Sequence, residues 1–186
     1  MQASTTVRNA MLDAIETAIG TTPKLQLRTG AAPANCAAAD SGTLLKEIDL
    51  PSDWMSAASG ASKAKAGTWS GAATGAGDIG HYRIKDSAGT NCHLQGPVSY
   101  SANAWAISTA YTVGQRVRNG GNVYICTTAG TSAGSGGPTG TGSGITDGSV
   151  VWNYVQAYAE VQVDNINVSV GQTLTVSTFT ITGGNA

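Results

Sequence analysis

Hydrophobic positions along the chain change period at Pro23. Before it, Val7, Ala10, Met11, Ala14, Ile15, Ala18 and Ile19 recur at the three- and four-residue spacing of one helical face. Ser4 or Thr5 offers an N-cap and Gly20 a stop, so the spacing predicts an N-terminal amphipathic helix. A stripe of small and medium side chains suits the covering of a sheet. Packing against the same helix of a neighbouring subunit is the alternative.

After Pro23 the period is two, the mark of strands. Leu25 and Leu27 share one face of 24–28, and Leu44, Ile48 and Leu50 share one face of 43–50. The Ala- and Gly-rich connection between them, 29–42, predicts turns and one short helical turn. From 54 to 80, Ser, Ala and Gly dominate around Trp69 as the large anchor, which predicts short strands and loops. Residues 81–96 read as a hairpin in which Tyr82 and Ile84 alternate with His81, Arg83 and Lys85, the chain turns at Asp86–Thr90, Cys92 and Leu94 lie on the return strand, and His81 and His93 are expected as solvated strand residues. The last segment, 159–184, alternates through Val161, Val163, Ile166, Val168 and Val170, turns at Gly171-Gln172, and resumes at Leu174 and Val176. Phe179 and Ile181 have the opposite parity, which predicts a bulge near Ser177-Thr178. Sequential strands with short turns predict a mainly β protein, an antiparallel β-sandwich or barrel with one N-terminal helix and an inserted small β module.

The insertion is residues 103–155. In a chain of 6% aromatics it gathers Trp105, Tyr111, Tyr124, Trp152 and Tyr154 together with a long Gly/Ser/Thr tract. It starts just after the strand-like 96–100 and ends just before 159–163, so its removal would join two parts of one β domain, 1–102 and 156–186. Inside it, "YTVGQRV" and "NVYICTT" alternate and meet at Asn119-Gly120, a hairpin signal. "AGTSAGSGGPTGTGSG" then reads as a long flexible loop before a last strand, "GSVVWNYV".

Composition narrows function. The net charge is −1 with 11% charged residues and 25 Gly, so Ser, Thr, Asn, Gln and Gly must finish the surface. Ten basic residues scattered among eleven acidic ones form no phosphate-tracking stripe, and no nucleic-acid partner is expected. The N-terminal segment carries acidic residues and no continuous apolar run, so neither signal peptide nor membrane span is expected, and folding in a cytoplasm follows. Cys36, Cys92 and Cys126 are odd in number and lack zinc-ligand spacing; they read as ordinary reduced thiols, and no metal or cofactor is expected. His81 and His93 have no nucleophile motif nearby, and the Gly-rich tract lacks the Lys-Ser/Thr ending of a phosphate loop. Asp40, Glu47, Asp49 and Asp53 are close in sequence, but spacing alone makes no paired-acid cleft. Catalysis is not expected.

Two resemblances add to this reading. The insertion's Trp105, Tyr111, Gly114, Val117, Val123, Tyr124 and Trp152 are arranged in a pattern similar to the small chitin- and cellulose-binding modules of bacterial glycoside hydrolases. The resemblance implies that some aromatics form a small core and others an exposed platform on which sugar rings stack. Trp105, Tyr111 and Trp152 suit the core; Tyr124 and Tyr154, alternating with Val123 and Val155, suit an outward pair. All five are candidate glycan contacts on this reading. Around the insertion, residues 8–51, 67–90 and 170–186 resemble small structural proteins from the morphogenesis regions of tailed bacteriophages. That resemblance implies a virion protein assembled in the bacterial host cytoplasm, a head decoration (cement) protein displaying the inserted module outward. The major capsid protein and further copies of the chain are the implied partners, and analogy with shells that are docked at quasi-threefold positions favours a trimer. "MQAST" or the helix after it would be the docking arm. A tail or baseplate adhesin binding host surface polysaccharide is the alternative.

Overall fold

In a computed structural model the described residues, 2–184, are mainly β, with 45% strand and 8% helix. Met1, the first residue of the expected docking arm, and Asn185 and Ala186 lie outside the described residues. The elements run in chain order as α1 (Thr5–Ile19), β1 (Lys24–Thr29), β2 (Leu44–Asp49), β3 (Ser62–Ala64), β4 (Ser70–Ala72), β5 (Gly77–Lys85) and β6 (Cys92–Tyr100). There follow β7 (Asn103–Ala104), β8 (Ala110–Tyr111), β9 (Arg116–Asn119), β10 (Asn122–Thr128), β11 (Gly130–Thr131), β12 (Ile145–Asp147) and β13 (Val150–Ala157). The chain ends with β14 (Val161–Val163), β15 (Asn167–Val168) and β16 (Thr173–Thr182). It divides into two compact units, one of residues up to Val98 together with those from Ala159 onward, the other Ser99–Tyr158.

The larger unit is one curled sheet in the order β2-β1-β5-β6-β14-β16-β3, with β15 added to β5 and β4 to β16. Its pairings are antiparallel where the register is defined. The sheet curls far enough that the Leu45 carbonyl on β2 accepts the N–H groups of Thr74 and Gly75, just beyond β4. This is the sandwich-or-barrel class that the patterning predicts. β6 and β14, between which the smaller unit lies in sequence, are neighbours in this sheet.

Inside the curl, Leu25, Leu27, Ile84, Val161, Val163, Leu174 and Val176 are fully buried and pack with a run of aromatic rings. The rings meet in sequence: Trp54 and Trp69 centroids 6.1 Å apart, Trp69 and Phe179 5.6 Å, Tyr82 and Phe179 5.8 Å. Tilted and edge-on pairs of this kind add about 0.5–1.5 kcal/mol each beyond their burial. Trp54 and Met55 thus join Trp69 as anchors of a stretch that composition had assigned to Trp69 alone; the Trp54 indole donates to the Gly20 carbonyl at 3.1 Å, and Trp69 to Ala66 at 2.9 Å.

The bulge expected near Ser177-Thr178 is present. Gln162 faces Thr178 and Val163 faces Val176, so Ser177 is the extra residue and Phe179 returns to the core. A second bulge corrects the reading of β2. Leu27 faces Lys46 and Arg28 faces Leu44, so Leu45 is the unmatched residue. It turns inward and is fully buried, while Leu44 stays partly exposed. A one-residue slip exchanges the two faces of a strand, which simple alternation does not register.

The hairpin 81–96 forms as expected, with the Asp86 carboxylate accepting the N–H groups of Thr90 (2.8 Å) and Asn91 (3.2 Å) across the turn. Its second face is not solvated: His81, Arg83 and Lys85 are all buried. The physical cause is the 30–42 connection, which folds over that face of β5 and turns its carbonyls towards it.

In the smaller unit β12-β13-β10-β9-β7 form one sheet and β8 pairs with β11. The β9–β10 hairpin closes through Gly120 (φ 55°) and Gly121 (φ 81°), both left-handed as a tight two-residue turn requires.

Candidate functional site

Three places concentrate unusual side chains: the surface of α1, the aromatic core of residues 99–158, and the polar pocket beneath the 30–42 connection.

Helix α1 buries only part of the apolar stripe its sequence predicts, and leaves Val7, Ala10, Met11, Ala14 and Ala18 exposed. Ser4 caps it by accepting the Val7 N–H at 3.3 Å, and Gly20 ends it at φ 88° with its N–H on the Glu16 carbonyl. The face turned to the body is mixed: Leu12, Ile15 and Ile19 pack inward, and polar side chains flank them. Asn9 accepts the Ala61 N–H (2.8 Å), Asp13 the Ala58 N–H (3.0 Å), and Glu16 the Met55 N–H (3.2 Å). Lys63, 2% exposed, lies between Asp13 (2.7 Å) and Glu16 (2.9 Å), and Arg8 donates to the Gly183 carbonyl (3.1 Å). Segment 55–61 is largely irregular, and these backbone donors need acceptors once covered. A helix bearing Asn and two carboxylates at positions 9, 13 and 16 supplies them. The Lys63 hydrogen bond and the Ala58 N–H together hold the Asp13 carboxyl below its ordinary pKa.

The opposite face of α1 carries Val7 (50% exposed), Met11 (63% exposed), Ala10, Ala14 and Ala18, all open and without a charge among them. The expectation that this stripe covers the sheet is corrected. Only Ile15 and Ile19 of the apolar set pack inward, joined by Leu12.

The aromatic residues of the smaller unit converge on one carboxylate. Asp147, 4% exposed, accepts the indole N–H of Trp105 at 2.7 Å and of Trp152 at 3.1 Å on Oδ2, and the Ala133 N–H at 2.9 Å on Oδ1. Tyr111 stacks edge-on against Trp152 with centroids 5.0 Å apart, and its hydroxyl accepts the Ala106 N–H. Trp152 is fully buried, while Trp105 and Tyr111 pack half-buried around it.

Tyr124 does not face outward. It is fully buried, its hydroxyl donates to the Gly140 carbonyl at 2.9 Å, and its ring meets half-buried Tyr154 edge-on at 6.2 Å. Register shifts between β10 and β13 at Val123/Tyr124 undo the alternation on which the outward pair rested. Nor is the Gly-rich tract a free loop. Asn119 donates to the carbonyls of Gly136 and Pro138, the Gly142 carbonyl accepts the Tyr154 N–H, and the Gly144 N–H reaches Asn153. A Cβ on Gly137 (φ +77°) would stand 2.8 Å from the Trp105 ring, so this glycine lets backbone lie against the indole. Of the five candidate glycan residues, Tyr111 lines a cleft of about 230 Å³ together with Asn103, Gln115 and Arg116.

The third place is a polar pocket of about 560 Å³ beside the 30–42 connection. Arg83, 1% exposed, donates to the Cys36 (2.7 Å) and Ala38 (3.1 Å) carbonyls and to Asp40 Oδ1 (2.8 Å). Lys85 reaches Asp40 Oδ2 at 2.7 Å, and Arg28 approaches the same oxygen at 3.5 Å. Burial pushes the Asp40 carboxyl up, but the Lys85 hydrogen bond and the charges of Arg28, Lys85 and Arg83 outweigh it and hold the group below its ordinary pKa. His81 places Nδ1 3.0 Å from the Gly30 carbonyl, and Gln95 donates to the Pro33 carbonyl at 2.6 Å. The neighbouring acids divide the same way: Glu47 and Asp49 both pair with Lys24. Cys36 and Cys92, remote in sequence, bring their sulfurs to 3.1 Å. Sequence reasoning missed this pair because no local spacing announces it.

Comparison of the chain with protein-family models, curated proteins and solved structures returned no match. Among the described residues no group of three or more His, Cys, Asp and Glu is placed to hold a metal ion, and no helix is long and apolar enough to cross a membrane.

Proposed function

We propose that this protein is a non-enzymatic structural component of a bacteriophage virion, a capsid decoration or cement protein that docks on the major capsid protein through the outward face of α1. The observation that carries the reading is the uncovered part of the helix stripe. The polar residues of α1 are consumed in fixing it to the body, and what it presents outward is an uncharged row of Val7, Ala10, Met11, Ala14 and Ala18. Small side chains at this spacing let another backbone approach closely, and covering what remains exposed of Val7 and Met11 stabilises a contact by about 1–2 kcal/mol each. Asp40, Glu47, Asp49 and the buried His81, among the residues a catalytic reading would need, are engaged in structural bonds. The phage assignment itself derives from the resemblance of the segments around the insertion.

The test is co-sedimentation of purified protein with empty heads. Near-capsomer stoichiometry is expected for the unaltered chain, with binding lost in Met11→Glu/Ala14→Glu at unchanged melting temperature. Equal binding by that variant would remove α1 as the docking face. Absence from heads would remove the decoration reading.

A second reading, an adhesin for host surface polysaccharide on tail or baseplate, is favoured by one observation: the half-buried Tyr111 ring lining a cleft with Asn103, Gln115 and Arg116. Binding to chitin or host polysaccharide that Gln115→Ala abolishes without unfolding would support it. Trp152 and Tyr124, both fully buried, are core residues in either reading.

A further inference from the structure

We infer that Cys36 and Cys92 form a redox site, a dithiol that a low-molecular-weight disulfide such as oxidised glutathione converts to an intramolecular Cys36–Cys92 disulfide. The bond would staple the 30–42 connection to β6. This is independent of how α1 docks.

The sulfurs lie 3.1 Å apart although 56 positions separate them in sequence, so about 1 Å of closure reaches the bond length near 2.05 Å. Neither the connection nor the strand depends on the sulfurs for its place. Arg83 holds the Cys36 and Ala38 carbonyls, Gln95 holds the Pro33 carbonyl, and Cys92 stands opposite Lys85 in the sheet. Both thiols are partly exposed and line the 560 Å³ pocket, which gives a small oxidant access. Cys126 differs in each respect: it is 1% exposed, it belongs to the 99–158 unit, and its sulfur lies 3.3 Å from the Thr128 carbonyl.

The exchange balances. One thiol loses its proton to solvent, and its thiolate attacks a sulfur of the oxidant; a mixed disulfide forms as the oxidant's S–S bond breaks and one small thiolate leaves. The second cysteine, deprotonated in turn, attacks the first cysteine's sulfur, forms the Cys36–Cys92 bond and expels the remaining small thiolate. Two protein thiols are oxidised, one disulfide is reduced to two thiols, and those thiols take up the two protons. Burial, with the adjacent Cys92 thiol, pushes the Cys36 thiol up to about 11, so the reaction is slow at neutral pH. The pair therefore stays reduced where thiol reductants dominate and closes on prolonged oxidising exposure.

The experiment treats purified full-length protein with oxidised glutathione at about pH 8.5, chosen to raise the thiolate fraction. Two of its three thiols should disappear. Peptide mapping should link Cys36 to Cys92 while Cys126 stays free, and melting should rise by roughly 5–10 °C, reversibly with dithiothreitol. Cys92→Ser should leave Cys36 carrying one glutathione, and Cys126→Ser should leave the linkage intact. Wild-type Cys36 and Cys92 recovered as free thiols, as separate glutathione adducts, or joined to Cys126 would overturn the inference. That result is read on the unaltered protein, so it stands even if a serine variant fails to fold.

Discussion

The two units solve the same shortage of large side chains in opposite ways. The larger one encloses aliphatic residues and a run of four aromatic rings, and places its polar bonding outside that cluster, where Asn9, Asp13 and Glu16 of α1 fasten the helix and buried Arg83 and Lys85 fasten the 30–42 connection. The smaller one has five fully buried side chains in its core and organises them around a buried carboxylate that binds both tryptophans. A large apolar core tolerates polar bonding at its edge; a small one needs directional bonds inside to hold one arrangement. An aromatic residue in the second setting is therefore structural even where its neighbours in sequence suggest a binding platform.

This contrast predicts a graded series of effects. The largest falls on Asp147. Asp147→Ala strands two indole N–H groups and one backbone N–H in a small core, at a cost of about 3–5 kcal/mol. The 99–158 unit should unfold separately from the body, visible as a second transition in denaturant titration followed by tryptophan fluorescence. A single shared transition would show that the units are not energetically distinct.

Next comes the helix fastening. Lys63→Met removes the buried cation between Asp13 and Glu16 and should cost about 2 kcal/mol, less than a fully enclosed pair because Asp13 is half-exposed. Hydrogen exchange should accelerate at the Ala58 and Ala61 amides and remain unchanged at β10 and β13.

The pocket beneath the 30–42 connection should show itself in acid. The Asp40 carboxyl has a folded pKa below its unfolded value of about 3.9. Its contribution is complete above that value and is lost as pH falls through the folded one. Melting temperature should hold from pH 7 to about 5 and decline below about pH 4. Asp40→Asn should melt lower at neutral pH, by about 1–2 kcal/mol, because Arg83 and Lys85 lose their counter-charge, and its acid decline should be shallower.

The smallest effect on stability is expected at Met11. Met11→Glu alters a side chain that touches little of the body and should change stability by less than about 0.5 kcal/mol. A larger loss would mean that the outward stripe contributes to the fold as well as to docking.

Period-two patterning was sufficient for β1, β6, β14 and β16, for the turns at Asp86 and Gly171, and for the bulge at Ser177, because in each case alternation and turn chemistry agree within a few residues. It failed at Leu45 and Tyr124, where register slips reverse the facing of a strand, and at His81, Arg83 and Lys85, where a distant connection covers a face that alternation leaves to solvent. The Cys36–Cys92 pair was invisible for the same reason, since its partners come from that connection and from β6. Local pattern thus determined the helix, the long strands and their turns, and that the chain is mainly β; it did not register that YTVGQRV, expected as one strand, splits into β8 and β9, or that the Gly-rich tract carries β11. Which face of each element is covered was decided only by tertiary structure, because burial depends on what arrives from elsewhere in the chain: segment 55–63 brought backbone donors and Lys63 to α1, so Asn9, Asp13 and Glu16 face the body beside Leu12, Ile15 and Ile19 while the rest of the apolar stripe stays outside.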